Sequence, residues 1–324
     1  MQTLRPYQVE CKASVKTAFS SYDKILAVLA TGLGKTTIAA DLAKDTHSTL
    51  FIAHRKELIE QAYKRLVEHT GRAVGVEMAS RHSKGEDIVV GSVQSLISRD
   101  LPAPELIIVD EAHHAVSATY RTVLERFPGA KVLGLTATPD RTDGRALSEL
   151  FQYTAFRYET PQAIRDGWLA PIFTKKVYGV SGLIAAAENR KTVVFTPSVR
   201  EAIEVAGLLP NATFVHGDIA TIERETRISA FTEGQYQYIV NCNILTEGFD
   251  SPSIECVAMM RATESRALFV QCLGRGLRLS PGKSDCLFLD MVDMPAHSLE
   301  GPGNALAGRV TISAPVNSFW RRFY

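Results

Sequence analysis

The sequence predicts an α/β protein of two tandem domains, each a mostly parallel sheet flanked by helices. Its 324 residues suit about two domains of ~150 residues each. Short apolar runs alternate with segments of helical period along most of the chain, the pattern of a doubly wound sheet. Polar or glycine-bearing clusters follow those runs, at the strand ends where such sheets bind ligands.

The first helical pattern opens at Arg5-Pro6-Tyr7-Gln8 and runs to about Phe19. Pro6 suits a first turn, where its missing N–H costs nothing. The Gln8 amide can both donate and accept, as reading an adenine edge requires. Ile25 to Leu29 then reads as a buried strand and Ile38 to Ala43 as the first turns of a helix. Between them lies Ala30-Thr31-Gly32-Leu33-Gly34-Lys35-Thr36-Thr37. A glycine-bearing turn there gathers backbone N–H groups at a helix N-terminus, a setting for phosphate oxygens. Lys35 can reach β- and γ-phosphates, and the Thr36 hydroxyl can ligate Mg²⁺. The match to G-x-x-x-x-G-K-[ST] is incomplete, because Leu29 occupies the first glycine position.

Leu50 to Ala53 reads as the next strand, followed by His54-Arg55-Lys56 and a helix from Glu57 to about Glu68. Ile88-Val89-Val90 leads into Gly91-Ser92-Val93-Gln94-Ser95. Leu106 to Val109 runs into Asp110-Glu111-Ala112-His113-His114, and Val132 to Leu135 into Thr136-Ala137-Thr138-Pro139. Asp110 can hold Mg²⁺ opposite Thr36, while Glu111 can orient and deprotonate an attacking water.

Pro161, Gly167 and Pro171 punctuate the close of this half, and the boundary is expected near residue 158. A second series of strands is expected at 172–178, 192–195, 212–215, 238–240, 256–259 and 286–289, with helices at 199–208 and 221–231. This half has no phosphate loop. It carries Gln271-Cys272-Leu273-Gly274-Arg275-Gly276-Leu277-Arg278, whose two arginines would share one face of a helix. Guanidinium groups aimed at a γ-phosphate stabilise the charge of phosphoryl transfer. The expected domains are therefore 1–158 and 159–300, with an unassigned tail at 301–324. That tail ends in the aromatic-basic run Phe319 to Tyr324.

Composition narrows the function classes. A content of 45% hydrophobic and 22% charged residues describes a globular chain with ample core. A net charge of +1 means that any nucleic-acid site is a local basic cleft. The five cysteines form no C-x-x-C pair, which argues against a disulfide scaffold or zinc site. Neither a signal-peptide h-region nor a run of ~18–20 apolar residues is present. A soluble protein without membrane partners, cytoplasmic or nucleoid-associated, is expected.

Taken together, the motifs resemble a superfamily 2 helicase core. Arg5 to Gln8 resembles the adenine-reading segment, Ala30 to Thr37 motif I and His54 to Leu58 motif Ia. Asp110-Glu111-Ala112-His113 resembles the D-E-A-H form of motif II, and Thr136-Ala137-Thr138 motif III. In the second half, Val194 to Pro197 resembles motif IV, Leu245 to Asp250 motif V and Gln271 to Arg278 motif VI. The Leu-Arg-Pro-Tyr-Gln opening and Thr-Glu-Gly-Phe-Asp are most similar to the XPB/RadD-like DNA helicases.

The resemblance implies two RecA-like domains that hydrolyse ATP with Mg²⁺ in the cleft between them. By it, Thr31, Gly32, Gly34, Lys35, Thr36 and Thr37 hold phosphate, Thr36 and Asp110 hold Mg²⁺, and Glu111 is the catalytic base. Arg5 and Gln8 contact adenine, Arg275 and Arg278 are arginine fingers, and Gly248 and Asp250 lie near the nucleotide. His113, Thr136, Thr138 and Gln271 couple nucleotide state to movement. Arg55, Ser92, Gln94, Thr196 and Thr246 track the nucleic-acid backbone. The implied substrate is DNA, with RNA as the rival, and the implied protein partners are those of a repair or replication assembly. The rival classes are a nucleotide-gated clamp and a motor subunit of a larger complex.

Overall fold

The computed structural model describes residues 3–138, 145–246, 248–249, 251–263 and 265–292. Asp250, Pro139, Glu247 and the tail expected at 301–324 lie outside these residues. The described residues form two compact units. The first comprises residues up to 169 together with segments 245–249 and 265–275; the second comprises 170–244, 251–263 and 276–292.

The first unit runs α1 (Pro6–Ala18), β1 (Lys24–Leu29), α2 (Lys35–Lys44), β2 (Thr49–Ala53), α3 (Lys56–Thr70), β3 (Val74–Glu77) and β4 (Ile88–Ser92). It continues with α4 (Val93–Leu96), β5 (Leu106–Asp110), α5 (Ala118–Glu125), β6 (Lys131–Thr136), α6 (Arg145–Leu150), β7 (Tyr153–Tyr158) and α7 (Thr160–Arg165). Its seven strands lie in the order β3-β4-β2-β5-β6-β1-β7, every pair parallel. Helices on both faces bury β2, β4 and β5 along their whole length, which is why these strands are continuous apolar runs. On one face, Leu26, Val28, Ile52, Ile107 and Val109 pack against Val93, Leu96, Tyr120 and Val123 of α4 and α5.

The second unit contributes β8 (Ile172–Lys176), α8 (Gly179–Ala187), β9 (Thr192–Phe195), α9 (Val199–Leu208), β10 (Ala212–Val215), α10 (Thr221–Thr232), β11 (Tyr238–Asn241), β12 (Cys256–Met259) and β13 (Cys286–Asp290). These six strands form an all-parallel sheet, β10-β11-β9-β12-β13-β8. Leu183 and Ala187 of α8 and Ala202 and Val205 of α9 cover Val194, Val240 and Ala258 on one of its faces. The turn from β9 into α9 is capped by Ser198, whose Oγ accepts from Glu201 N at 3.2 Å. Helix α11 (Arg266–Gly274) belongs to the first unit, although its sequence lies in the second half.

Several elements escape the sequence reading, β3, β7 and α8 among them. Strand β3 is four residues long with Gly75 inside it, and β7 alternates exposed with buried positions at the sheet edge. Helix α8 begins at Gly179 and contains Gly182, both poor helix formers. The first unit also extends past residue 158, to 169. The reason is aromatic packing: Tyr7 stacks on Tyr158 at 4.9 Å and meets Trp168 edge-on at 5.5 Å. All five cysteines are free and buried. Among the described residues, no helix is long and apolar enough to cross a membrane.

Candidate functional site

The phosphate loop connects β1 to α2. Leu29, in the first-glycine position, is the fully buried last residue of β1, so the backbone does not yet turn there. The turn falls instead at Gly32 and Gly34, with φ +89° and +75°. These values lie in the left-handed region that glycine enters freely. Gly34 directly precedes α2, whose first free N–H groups therefore face the loop. Thr31 Oγ is buried with no hydrogen-bond partner among the described residues. A buried hydroxyl of this kind at the loop suits a ligand oxygen.

Helix α1 supports this loop from below. Tyr7 Oη and Gln8 Nε2 both donate to Leu33 O, at 2.9 and 3.0 Å. Gln8 Oε1 accepts from Arg5 N at 2.9 Å. Both ends of the Gln8 amide are thus bonded within the chain, and Gln8 braces the loop. Arg5 lies over the Trp168 ring at 5.2 Å. A Cβ on Gly34 would stand 2.7 Å from Gln8 Nε2. Gly34→Ala should therefore break this brace as well as strain φ, at about 1–2 kcal/mol for the backbone alone. The expected result is at least about tenfold weaker nucleotide binding, since each 1.4 kcal/mol is tenfold. A nucleotide titration beside a thermal melt checks it.

The acidic pair stands at the end of β5. Parallel register joins β5 to β6 and β6 to β1, which brings Asp110 and the phosphate loop to one end of the sheet. Lys35 Nζ lies 4.0 Å from Glu111 Oε1, and both side chains are largely buried. Burial and the neighbouring Glu111 charge raise the Asp110 carboxyl to about 6, against the pull of Lys35. Glu111 itself adopts φ +49°, ψ +55°, unusual for a residue with a side chain. From it the chain enters a 3-10 turn, Ala112–His114.

His113 is buried beside this pair. Its Nδ1 lies 3.4 Å from Glu111 Oε2 and 3.4 Å from Thr136 Oγ. The Thr136 hydroxyl donates to Thr138 O at 3.0 Å, so it can only accept from His113. A proton on Nδ1 suits both neighbouring oxygens. Thr138 N donates back to Thr136 Oγ at 3.2 Å, closing the turn after β6. The acidic pair, His113 and the Thr136–Thr138 turn are thus brought together.

The residues expected to track a nucleic-acid backbone divide into two sets. Gln94 is exposed and Arg55 is half-buried at the start of α3. Ser92, Thr196 and Thr246 are buried. Ser92 Oγ accepts from Ser95 N at 3.2 Å and caps α4. Thr196 Oγ donates to Ser198 O at 3.1 Å, and the carbonyl of Thr246 accepts from Arg275 Nη2 at 2.8 Å. Short hydroxyl side chains at strand ends bond the nearby backbone readily.

Motif VI departs from the expected helix face. Helix α11 ends at Gly274, so Arg275 is its C-cap and Arg278 lies beyond it. Arg275 is buried, and its guanidinium donates to the carbonyls of Phe249 and Thr246. Arg278 is half-exposed. Gln271 is buried, its Nε2 without a hydrogen-bond partner among the described residues. Gly248 has φ +71°.

Sequence reasoning missed Lys283. Its Nζ donates to Arg278 O at 2.8 Å and Gly276 O at 2.5 Å, and also to Ile254 O. Burial pushes the amine below the ordinary lysine range. Its partners are main-chain carbonyls, which leave no mark in a sequence; only the Ser280-Pro281-Gly282 turn before it is a signal.

Comparison with known proteins follows the same division. Residues 1–141 match the family described as Type III restriction enzyme, res subunit, and residues 175–280 match the Helicase conserved C-terminal domain. A proposed mitochondrial ATP-dependent helicase, irc3, of Schizosaccharomyces pombe is 33% identical over 90% of this chain and 57% of its own. A proposed ATP-dependent helicase, IRC3, of Saccharomyces cerevisiae is 30% identical over 89% of this chain and 51% of its own. The chain therefore spans little more than half the length of these curated relatives. A fragment of a proposed HsdR subunit of a type I restriction enzyme from Vibrio vulnificus shares the fold. It has a TM-score of 0.79 and 23% identity, over 96% of this chain and 68% of that one. The Type ISP restriction-modification enzyme LlaBIII, solved bound to DNA, superposes with a TM-score of 0.73 and 16% identity, over 91% of this chain and 28% of its own. The two halves thus match the res-subunit family and the Helicase conserved C-terminal domain in turn, and the motif residues stand at strand ends as in the two-domain core of the superfamily 2 helicases, which the chain resembles.

Proposed function

We propose that this chain is an ATP-dependent helicase or translocase acting on DNA. One observation carries the reading: Lys35, at the head of α2, faces Glu111 across 4.0 Å beside a glycine-turned loop. An ammonium, free N–H groups and a buried carboxylate in that arrangement fit a nucleoside triphosphate and an attacking water. The loop N–H groups and Lys35 bind the phosphates. Glu111 takes the proton of the water, and His113 Nδ1–H holds its carboxylate in place. Arg278 is assigned to the charge that develops on the transferred phosphoryl group, and Arg275 to the order of its own segment.

The residues also fit a divalent cation. Asp110 and Glu111 are adjacent buried carboxyls, and a divalent charge would favour the ionised form that burial disfavours in Asp110. Thr36 and Asp110 would hold Mg²⁺, which when bound neutralises phosphate charge. The XPB/RadD-like motifs, the D-E-A-H sequence and the restriction-enzyme relatives support DNA as the track. A place in a DNA repair or replication assembly, in the cytoplasm or at the nucleoid, accords with that track.

The test is steady-state ATP hydrolysis with no nucleic acid, then with single-stranded DNA, duplex DNA and single-stranded RNA. Stimulation by DNA above RNA is expected. Stimulation by RNA alone would overturn the DNA assignment, and hydrolysis indifferent to all three would reduce the reading to a nucleotide-gated switch.

A further inference from the structure

Beyond His113, two more histidines pack into the first unit's acidic end. The parallel register pairs Ile52 of β2 with Val109 of β5, so the residues following these two strands emerge side by side. His54 follows β2, and Glu111 follows β5 into the turn that carries His113 and His114. The rings then contact in series. His54 lies 4.2 Å from His114 between ring centroids, at 58°, and His114 lies 4.2 Å from His113, at 44°. His113 ends the series 3.4 Å from the Glu111 carboxylate. At the other end, His54 is bonded directly to Arg55, the half-buried residue that starts α3.

We propose that His54 and His114 are positioning residues, a packed imidazole series that carries the state of the Arg55 loop to Glu111 when nucleic acid is bound, resting on the reading of Glu111 as the base. Rings held in contact pass a shift of one to the next, since packed side chains resist overlap. A displacement at Arg55 moves His54 against His114, and His114 against His113. His113 in turn sets the carboxylate that takes the proton. None of the three rings needs to touch ATP or nucleic acid. Among the described residues no group of three or more histidine, cysteine or carboxylate side chains has metal-binding geometry.

The experiment uses the full chain with a mixed-sequence single-stranded DNA oligonucleotide as the probe. ATP turnover is measured with and without the oligonucleotide for wild type, His54→Ala, His114→Ala and the double variant, and oligonucleotide affinity by fluorescence anisotropy. Basal turnover and oligonucleotide affinity should stay within about twofold, while stimulation falls about tenfold, within the usual span of coupling between sites. Residues in one series give losses that do not multiply, so the double variant should resemble the weaker single. His54→Gln and His114→Gln keep a polar side chain without the ring, and carry the same expectation where an alanine variant fails to fold. Full stimulation in the single variants, or losses that multiply in the double, would overturn the series alone. A wild type stimulated by no nucleic acid would overturn the helicase reading and the series with it.

Discussion

Glu111→Gln is expected to bind ATP and almost cease to hydrolyse it. Glutamine keeps the shape of the side chain and cannot take a proton from water. A general base contributes typically 10²–10⁴ in rate, so turnover should fall by about that factor. Binding should persist, because the loop N–H groups and Lys35 are untouched. Stability should change little, since the substitution removes one of two adjacent buried negative charges while weakening the contacts with Lys35 at 4.0 Å and His113 Nδ1 at 3.4 Å. Steady-state hydrolysis beside a nucleotide titration separates the two properties. Turnover near wild type would remove Glu111 from the chemistry; lost binding would make it a structural support of the loop. Lys35→Ala should differ from Glu111→Gln by losing affinity as well as turnover.

The two arginines of motif VI should separate by what their loss does. Arg275 is buried and donates to two main-chain carbonyls, of Phe249 and Thr246. Arg275→Ala leaves both acceptors buried, at about 1–3 kcal/mol each. At roughly 2–4 °C per kcal/mol for a chain of this size, Tm should drop by about 5–15 °C. Arg278 is half-exposed, whereas Arg275 is buried. Arg278→Ala should leave Tm near wild type and slow hydrolysis far more than it weakens ATP binding, by up to about 10³–10⁵ if the guanidinium is a full arginine finger. A thermal melt and a rate assay on both variants check the division. A large Tm loss in Arg278→Ala with unchanged turnover would reverse the two assignments.

Why the two were paired in the sequence, and parted in the fold, shows what residue spacing conveys. Three residues apart is one helix face only where a helix continues, and α11 stops at Gly274. Gln8 is a similar case. Its amide donates once to Leu33 O and accepts once from Arg5 N, which leaves one N–H and one lone pair. Ser92 and Thr196 likewise turn inward to cap their own segments. In each case the side chain holds a backbone group that the sequence does not single out.

What the sequence by itself determined is the order of most strands and of the long helices, the phosphate loop, and the acidic pair. These are local signals: an apolar run long enough for a strand, glycine where φ must be positive, and acids directly after a buried run. Tertiary structure alone decided which strand ends meet. Register beside β5 brings His54 to His114, and α1 reaches the loop through Tyr7 and Gln8. It also decided that Lys283 gathers the carbonyls around Arg278. Such contacts join residues far apart in the chain or end on main-chain atoms that every residue shares. Spacing and residue type cannot encode them, because they exist only once the sheets have formed.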